Sequence, residues 1–462
     1  MFRAVGTAMD SFSRFTGLAA AQFYLLCAVV TLWEVISRYV FNAPTQWAFE
    51  VVMVLCASAW MISAGYVTFH KRHIGITVFY LMAGDRTKWW LDLLALVVGI
   101  AALFMLADDT LVRALEAISL VERAGSAWNS PMPMILKTVL ALGAVIYLCQ
   151  LLVNTNRHFM SYAARVVAGI VGVLLLLRLI SVVGVHFGAD VTLLAGYHDM
   201  LSGFAETLDP SQVVSLRDYD IGTVSVGIVI ALIALMMTGM PLGVVTLIVS
   251  IICALLFFGP RGLYLVSTNA FGLLENYPLV AVPLFVLMAS LLEKAGIAED
   301  LFDAMSIFAG KLRGGVAVQT VIVAVVMAAM SGIMGGEIVM LGLVALPQML
   351  RLGYDRKLSI GTICASGSLA TLIPPSIVMI VYGLSAQVSI GDLFMAGAIP
   401  GLMLALFYIV FVLIRCAINP SLAPTAEEAA ARKGEQATLS SNRLPAVGLS
   451  ILLLACVMGS IY

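Results

Sequence analysis

The sequence predicts an all-α, polytopic transmembrane protein with one re-entrant hairpin and one broken helix. Three observations predict it. Apolar residues make up 62% of the 462 positions and charged residues 11%, against about 45–50% and about 25% in soluble domains. The apolar residues fall in blocks of about 17–23, long enough to cross a bilayer core as helices. Two later blocks are interrupted by glycine, serine and proline at membrane depth. The first two observations exclude a soluble enzyme. With a net charge of −1 and no basic patch, the chain has no footprint for nucleic acid.

The first four apolar segments lie at about 17–37, 47–69, 88–107 and 132–153, and a fifth at about 164–184 leads into a polar loop, 186–220. The start, with charges of both signs and no small-residue cleavage site, reads as a retained helix rather than a signal peptide. Lys and Arg in short loops set the orientation. The run His70, Lys71, Arg72, His73, with Arg86 and Lys88, marks a cytoplasmic loop, as do Arg157 and Arg165; Arg3 and Arg14 place the N-terminus on the same side. The 186–220 loop carries six carboxylates against Arg217 alone and falls on the periplasmic side. His70 and His73 could pair on a metal, but a solvated, topology-setting loop accounts for them. Trp47, Trp89 and Trp90 are placed as interfacial anchors. The cysteines (27, 56, 149, 253, 364, 416 and 456) sit singly, with no ligand spacing, and read as small buried hydrophobes.

Beyond the loop, segments follow at about 221–238, 241–258, 278–293, 316–350, 358–386, 394–415 and 444–462. Between them, 293–313 has the period of an amphipathic helix lying along the membrane surface, and 423–443, polar and without an apolar period, reads as a cytoplasmic linker.

In 316–350, helix former gives way to Ser331, Gly332, Gly335, Gly336 and Glu337, then resumes and stops at Pro347. Unpaired backbone at that depth persists only where protein or a water-filled cavity partners it. Lys311 and Arg313 before, and Arg351, Arg356 and Lys357 after, put both ends on the cytoplasmic side. The expected shape is a hairpin that enters and leaves on one face. In 358–386, Ser366, Gly367, Ser368 and Thr371 lead to Pro374, Pro375 and Ser376. Two prolines cannot continue a helix but can open one at its first positions. Paired breaks of this kind point to a transporter's binding site. The hydroxyls and freed carbonyls of both breaks suit a small hard cation such as Na⁺. The half-helix starting near Ser376 presents positive dipole to an anion. Glu337 has two readings: a functional intramembrane acid, or a cap that accepts backbone amides at the tip. A membrane enzyme would need a His or Lys partner for it, which its segment lacks. A channel would need a ring of charge made by oligomerisation.

SRYVFNAPTQWAFEV (37–51), HKRHIGI (70–76) and SAWNSPMPMILK (126–137) resemble the small four-helix subunit of TRAP (tripartite ATP-independent periplasmic) transporters. MTGMPLGV (237–244), the 281–302 stretch, KLRGG (311–315), the 346–383 run with its GYD, PPS and YG motifs, and AGAIPG (396–401) resemble the large subunit. The resemblance implies a small-subunit module at 1–160, a connecting helix and periplasmic loop at 161–220, a first large-subunit repeat at 221–422, a linker at 423–443 and the start of a second repeat at 444–462. It implies Na⁺-driven, elevator-type uptake of a carboxylate-bearing solute delivered by a periplasmic binding protein, with no cofactor beyond Na⁺ as the coupling ion. The Na⁺ site would form where hairpin and broken helix meet. Two features depart from the family. The tip reads SGIMGGE where the family is rich in serine and alanine. The family's second inverted repeat would begin where this chain ends, so the chain alone is expected to need that second half in order to transport.

Overall fold

The computed structural model describes residues 2–158, 219–296, 301–302 and 313–424, with positions 166, 169–174, 177–178, 181 and 184. Most of the fifth segment, the 186–218 loop, nearly all of the surface helix, the linker from 425 and the 444–462 segment lie outside them. Among the described residues there is no strand, only an isolated bridge between Gly75 and Pro241. Six helices among the described residues are long and apolar enough to cross a membrane: Gly6–Tyr39, Ala48–Phe69, Asp85–Leu120, Met132–Asn154, Met334–Leu352 and Ile390–Ile418. The protein is a multi-pass membrane protein. Packing divides it into two compact units, one ending at Tyr277 and one beginning at Pro278.

In the first unit, α1 (Phe2–Tyr39) packs on α2 (Ala48–Phe69); a short α3 (Val78–Met82) leads to α4 (Asp85–Leu120), and α5 (Met132–His158) packs on both α2 and α4. Lipid gives helices no hydrophobic reason to associate, so close backbone approach and hydrogen bonds must hold them. Both are present. A Cβ on Gly143 would lie 2.7 Å from that of Met61, and one on Gly65 would lie 2.6 Å from Ile146. Ser13 donates to Gln150 at 2.7 Å, Gln150 donates to Asp10 and Asn154 at 3.2 Å each, and Asn154 donates to the Thr68 carbonyl at 2.8 Å. The buried Glu50 accepts from the hydroxyls of Ser126 and Ser130. Helices α6 (Ile221–Met236), α7 (Leu242–Phe258) and α8 (Leu263–Leu274) complete the unit, with Val244, Val245 and Ile248 buried against Ala102. The sequence reading lacked α8, because Ser267, Thr268 and Asn269 break its apolar run; Asn269 instead donates back to the Leu265 carbonyl. It also took every cysteine as single, whereas the buried Cys27 and Cys56 thiols face each other at 3.2 Å between α1 and α2.

His73 departs from its expected role as a solvated loop residue. Its ring stacks on Tyr147, 5.0 Å between centroids, and Nε2 lies 2.8 Å from the Thr68 hydroxyl. That hydroxyl gives its own proton to Ala64 at 2.7 Å, so its oxygen is left to accept from Nε2–H of a neutral ring. Burial lowers the pKa of the imidazole. A base held neutral by folding contributes stability that is complete above the unfolded value, about 6.5, and is lost as pH falls below it. Melting temperature should therefore drop between about pH 7.5 and about pH 5.5, and less steeply in His73→Gln. Parallel curves for the two proteins would show that His73 is not responsible.

The second unit holds α9 (Ala281–Lys294), α10 (Gly315–Ser331), α11 (Met334–Leu352), α12 (Arg356–Gly367), α13 (Ile377–Ala386) and α14 (Ile390–Ile418). Helices α10 and α11 form the expected hairpin. Near its open end Thr320 meets Met349, and the Val316 amide donates to the Tyr354 hydroxyl at 3.1 Å. Nearer the tip, Val323, Ala324 and Met327 pack on Met340, Leu341 and Ala345. Start pairs with end, so the two run antiparallel. At 17 residues, α10 is about 25 Å long at 1.5 Å per residue. One boundary needs correction: the hairpin does not stop at Pro347. That proline is exposed on α11, and the helix runs on to Leu352, where Gly353 at φ +90° ends it.

Candidate functional site

The site is built where the hairpin tip meets the broken helix. Helix α12 begins at Asp355, whose Oδ1 accepts from the Lys357 and Leu358 amides at 3.0 Å each, and ends at Gly367. A tight 3-10 turn, Ser368–Thr371, follows; the chain then extends through Pro374 and Pro375, joined by a cis peptide bond, to Ser376 and α13. The expected placement of the prolines is off by one step. They precede the new helix rather than occupy its first positions, and Ser376, with extended φ −131°, is its N-cap residue. The reason is local: the Ser376 hydroxyl donates back across the break to the Thr371 carbonyl at 3.0 Å.

The tip itself is two residues. Gly332 ends α10 at φ +63°, in the left-handed region, and Ile333 is extended. Gly332 touches the break directly. A Cβ there would collide with the Pro375 carbonyl, and the Gly332 carbonyl accepts from the Ile377 amide at 3.4 Å. Behind it, the first turn of α11 lies so close to α12 that a Cβ on Gly367 would overlap Ile338.

The residues singled out from sequence are thus adjacent but not equivalent. Ser331, Gly332, Glu337, Ser366 and Gly367 are buried, as are Pro374, Pro375 and Ser376; Ser368 and Thr371 are half-buried; Gly335 and Gly336 are exposed, with open space at Cβ. The hydroxyls of Ser366, Ser368 and Thr371 each donate to the carbonyl three residues earlier, at 3.2, 2.7 and 2.7 Å. Their protons are committed, and their oxygens keep lone pairs. Ser331 Oγ and both carboxylate oxygens of Glu337 are different: they are buried with no hydrogen-bond partner among the described residues. Glu337 sits in the first turn of α11 yet caps none of its amides, so the capping reading of that residue does not hold.

One contribution was missed in reading the sequence. Gly397 and Gly401, four apart on α14, let its backbone approach the break: a Cβ on Gly397 would lie 2.8 Å from the Leu372 carbonyl, and one on Gly401 would lie 2.9 Å from Ile373. Their i, i+4 spacing is a small-residue packing signal, and it could have been read.

The far end of the unit is basic. The start of α10, the end of α11, the start of α12 and the end of α14 meet there, through Val316 with Tyr354, Gly314 with Cys416, and the Asp355 amide with the Leu422 carbonyl at 2.9 Å. Arg313, Arg351, Arg356, Lys357 and Arg415 all fall at that end.

Residues 229–462 match the family described as tripartite ATP-independent periplasmic transporter, DctM component, and residues 27–161 match the DctQ component of such transporters. Relatives include the C4-dicarboxylate TRAP transporter large permease protein DctM of Pseudomonas aeruginosa, 34% identical over 45% of this chain and 47% of that protein. The ectoine TRAP transporter large permease protein TeaC of Halomonas elongata is 31% identical over 51% of this chain and 54% of its own length. The isethionate TRAP transporter permease protein DctMQ of Oleidesulfovibrio alaskensis is 34% identical over 30% of this chain and 22% of its own. The chain spans about half the length of the first two and less of the third.

Proposed function

Because this chain belongs to the tripartite ATP-independent periplasmic transporter family and joins DctQ and DctM parts in one polypeptide, we propose that it is the permease component of an inner-membrane importer driven by a Na⁺ gradient and fed by a periplasmic binding protein. The observation that carries the ion-coupled reading is the pair of buried groups at the docked tip, Ser331 Oγ and the Glu337 carboxylate, that have no hydrogen-bond partner among the described residues. An unpaired charge at membrane depth costs about 2.5–3.5 kcal/mol on insertion scales; a cation there removes that cost. Hard oxygen ligands suit Na⁺, and Ser331 and Glu337 lie one residue before and four after the Gly332–Ile333 tip. Gly332 and the lone pairs of Ser366, Ser368 and Thr371 border the same place, with Gly335, Gly336 and Gly367 keeping its approaches open or close-packed.

The solute is an organic acid whose carboxylate is received by the N-terminus of α13, where the Ser376 side chain caps no amide and the Gly332 carbonyl takes only that of Ile377. Opening of the tip would uncover Pro375 and Ser376, against which Gly332 now lies. The N-terminus and the basic end of the second unit are cytoplasmic, following the positive-inside rule. In the elevator motion the hairpin and broken helix travel, and the four-helix module stays fixed. The test is uptake of organic acids into proteoliposomes with the cognate binding protein, with and without an imposed Na⁺ gradient. Na⁺-driven uptake is expected, and uptake that ignores the Na⁺ gradient would refute the coupling.

A further inference from the structure

At the basic end of the second unit, a cavity of about 390 Å³ opens between α12 and α14. Its walls are apolar, formed by Val321, Leu358, Tyr408 and Phe411, while Lys357 and Arg415 stand on its lining. Neither cation has a carboxylate within ion-pair distance among the described residues. Asp355, which also lines it, turns its Oδ1 to the first amides of α12, so its charge is already engaged by the helix terminus. Two cations with no carboxylate partner among the described residues, beside an apolar slot and at the level where the helices end, match one kind of molecule. It must carry a negative head and an apolar tail and be abundant around a membrane protein. We propose that this cavity binds an anionic phospholipid, its phosphate between Lys357 and Arg415 and the upper part of an acyl chain along Tyr408 and Phe411. A free phosphate would leave the apolar wall unused, and a zwitterionic lipid would bring an ammonium against two cations.

The inference requires only that the chain lies in a bilayer, so it stands apart from the transport reading. The experiment is native mass spectrometry of the full chain released from nanodiscs containing equal phosphatidylglycerol and phosphatidylcholine. The wild-type protein should retain phosphatidylglycerol in preference. Lys357→Gln with Arg415→Gln should reduce that preference on the order of tenfold to thirtyfold, the scale of two cations near an anionic lipid surface. Gly361 lines the same cavity with open space at its Cβ position, so Gly361→Leu should fill the slot and lower retention of either lipid. Arg351→Gln with Arg356→Gln removes the same charge at the same end, outside the cavity lining, and should leave the preference intact. Equal retention of both lipids by the wild type, or an equal loss in the two double variants, would overturn the site.

Discussion

Glu337→Gln is expected to stabilise the protein in Na⁺-free buffer and to abolish its stabilisation by Na⁺. The carboxylate is buried and none of its oxygens has a partner among the described residues. Without a cation, the folded wild type bears a cost of the order of 2.5–3.5 kcal/mol for an unpaired acid at that depth. Glutamine has nearly the same shape and no charge, so most of that cost should disappear. Added Na⁺ closes the gap. A ligand bound only by the folded state stabilises by about 2.7 kcal/mol at a hundred times its dissociation constant; the wild type should gain this and the glutamine variant should not. Melting curves in NaCl and in choline chloride at equal ionic strength separate site binding from screening, which both salts provide equally. Ser331→Ala should weaken the Na⁺ response less than Glu337→Gln, since it removes a neutral ligand and leaves the charge. A Na⁺ response of equal size in wild type and Glu337→Gln would place the cation elsewhere, whatever the uptake experiment showed.

The second large effect lies one residue past Ser331. Gly332→Ala should cost about 2–3 kcal/mol, whereas Gly335→Ala, three residues on, should be neutral or stabilising. Gly332 holds φ +63°, which a residue with a side chain adopts at a cost of about 1–2 kcal/mol. The new methyl would also strike the Pro375 carbonyl. Backbone on one side and a two-proline segment on the other give little room to adjust, so the tip should lift from the break. Gly335 has no such constraint: nothing lies within 4 Å of its Cβ position, and it sits inside a helical turn. There alanine only improves helix propensity, by up to about 1 kcal/mol. Hydrogen exchange at the Ile377 amide, which the Gly332 carbonyl accepts, reads the lifting directly. Similar exchange in both variants would mean that the tip and the break are not coupled through Gly332.

Much of this was open to sequence reasoning because bilayer physics is strict. A run of apolar residues without charge has few alternatives to a spanning helix, and an interruption inside one must be partnered by protein. Hence the hairpin, the break after Gly367 and the burial of Glu337 could be anticipated from residue types alone. The orientations of single groups could not. Ser366, Ser368 and Thr371 read as free cation ligands, yet each hydroxyl donates to its own helix, because the chain stays helical or nearly so through Thr371. Pro347 read as a stop, yet α11 passes it on an exposed face. His73 read as solvated, because the fold of α5 that places Tyr147 under its ring is invisible in the loop's own charges.

By itself, the sequence determined that this protein is a bundle of membrane helices, which segments cross or break, and where glycine and proline concentrate at depth. Those outcomes depend on transfer free energy and backbone hydrogen bonding, which are properties of a segment and its solvent. Only the tertiary structure decided which of the polar groups at depth were left unpaired. That Ser331 and Glu337 lack partners among the described residues depends on how the Gly332–Ile333 turn seats against Pro375 and how Gly367 admits Ile338. Steric contacts act over a few ångströms, and the two that seat the tip join residues 43 and 29 positions apart, a proximity that no local pattern along the chain encodes.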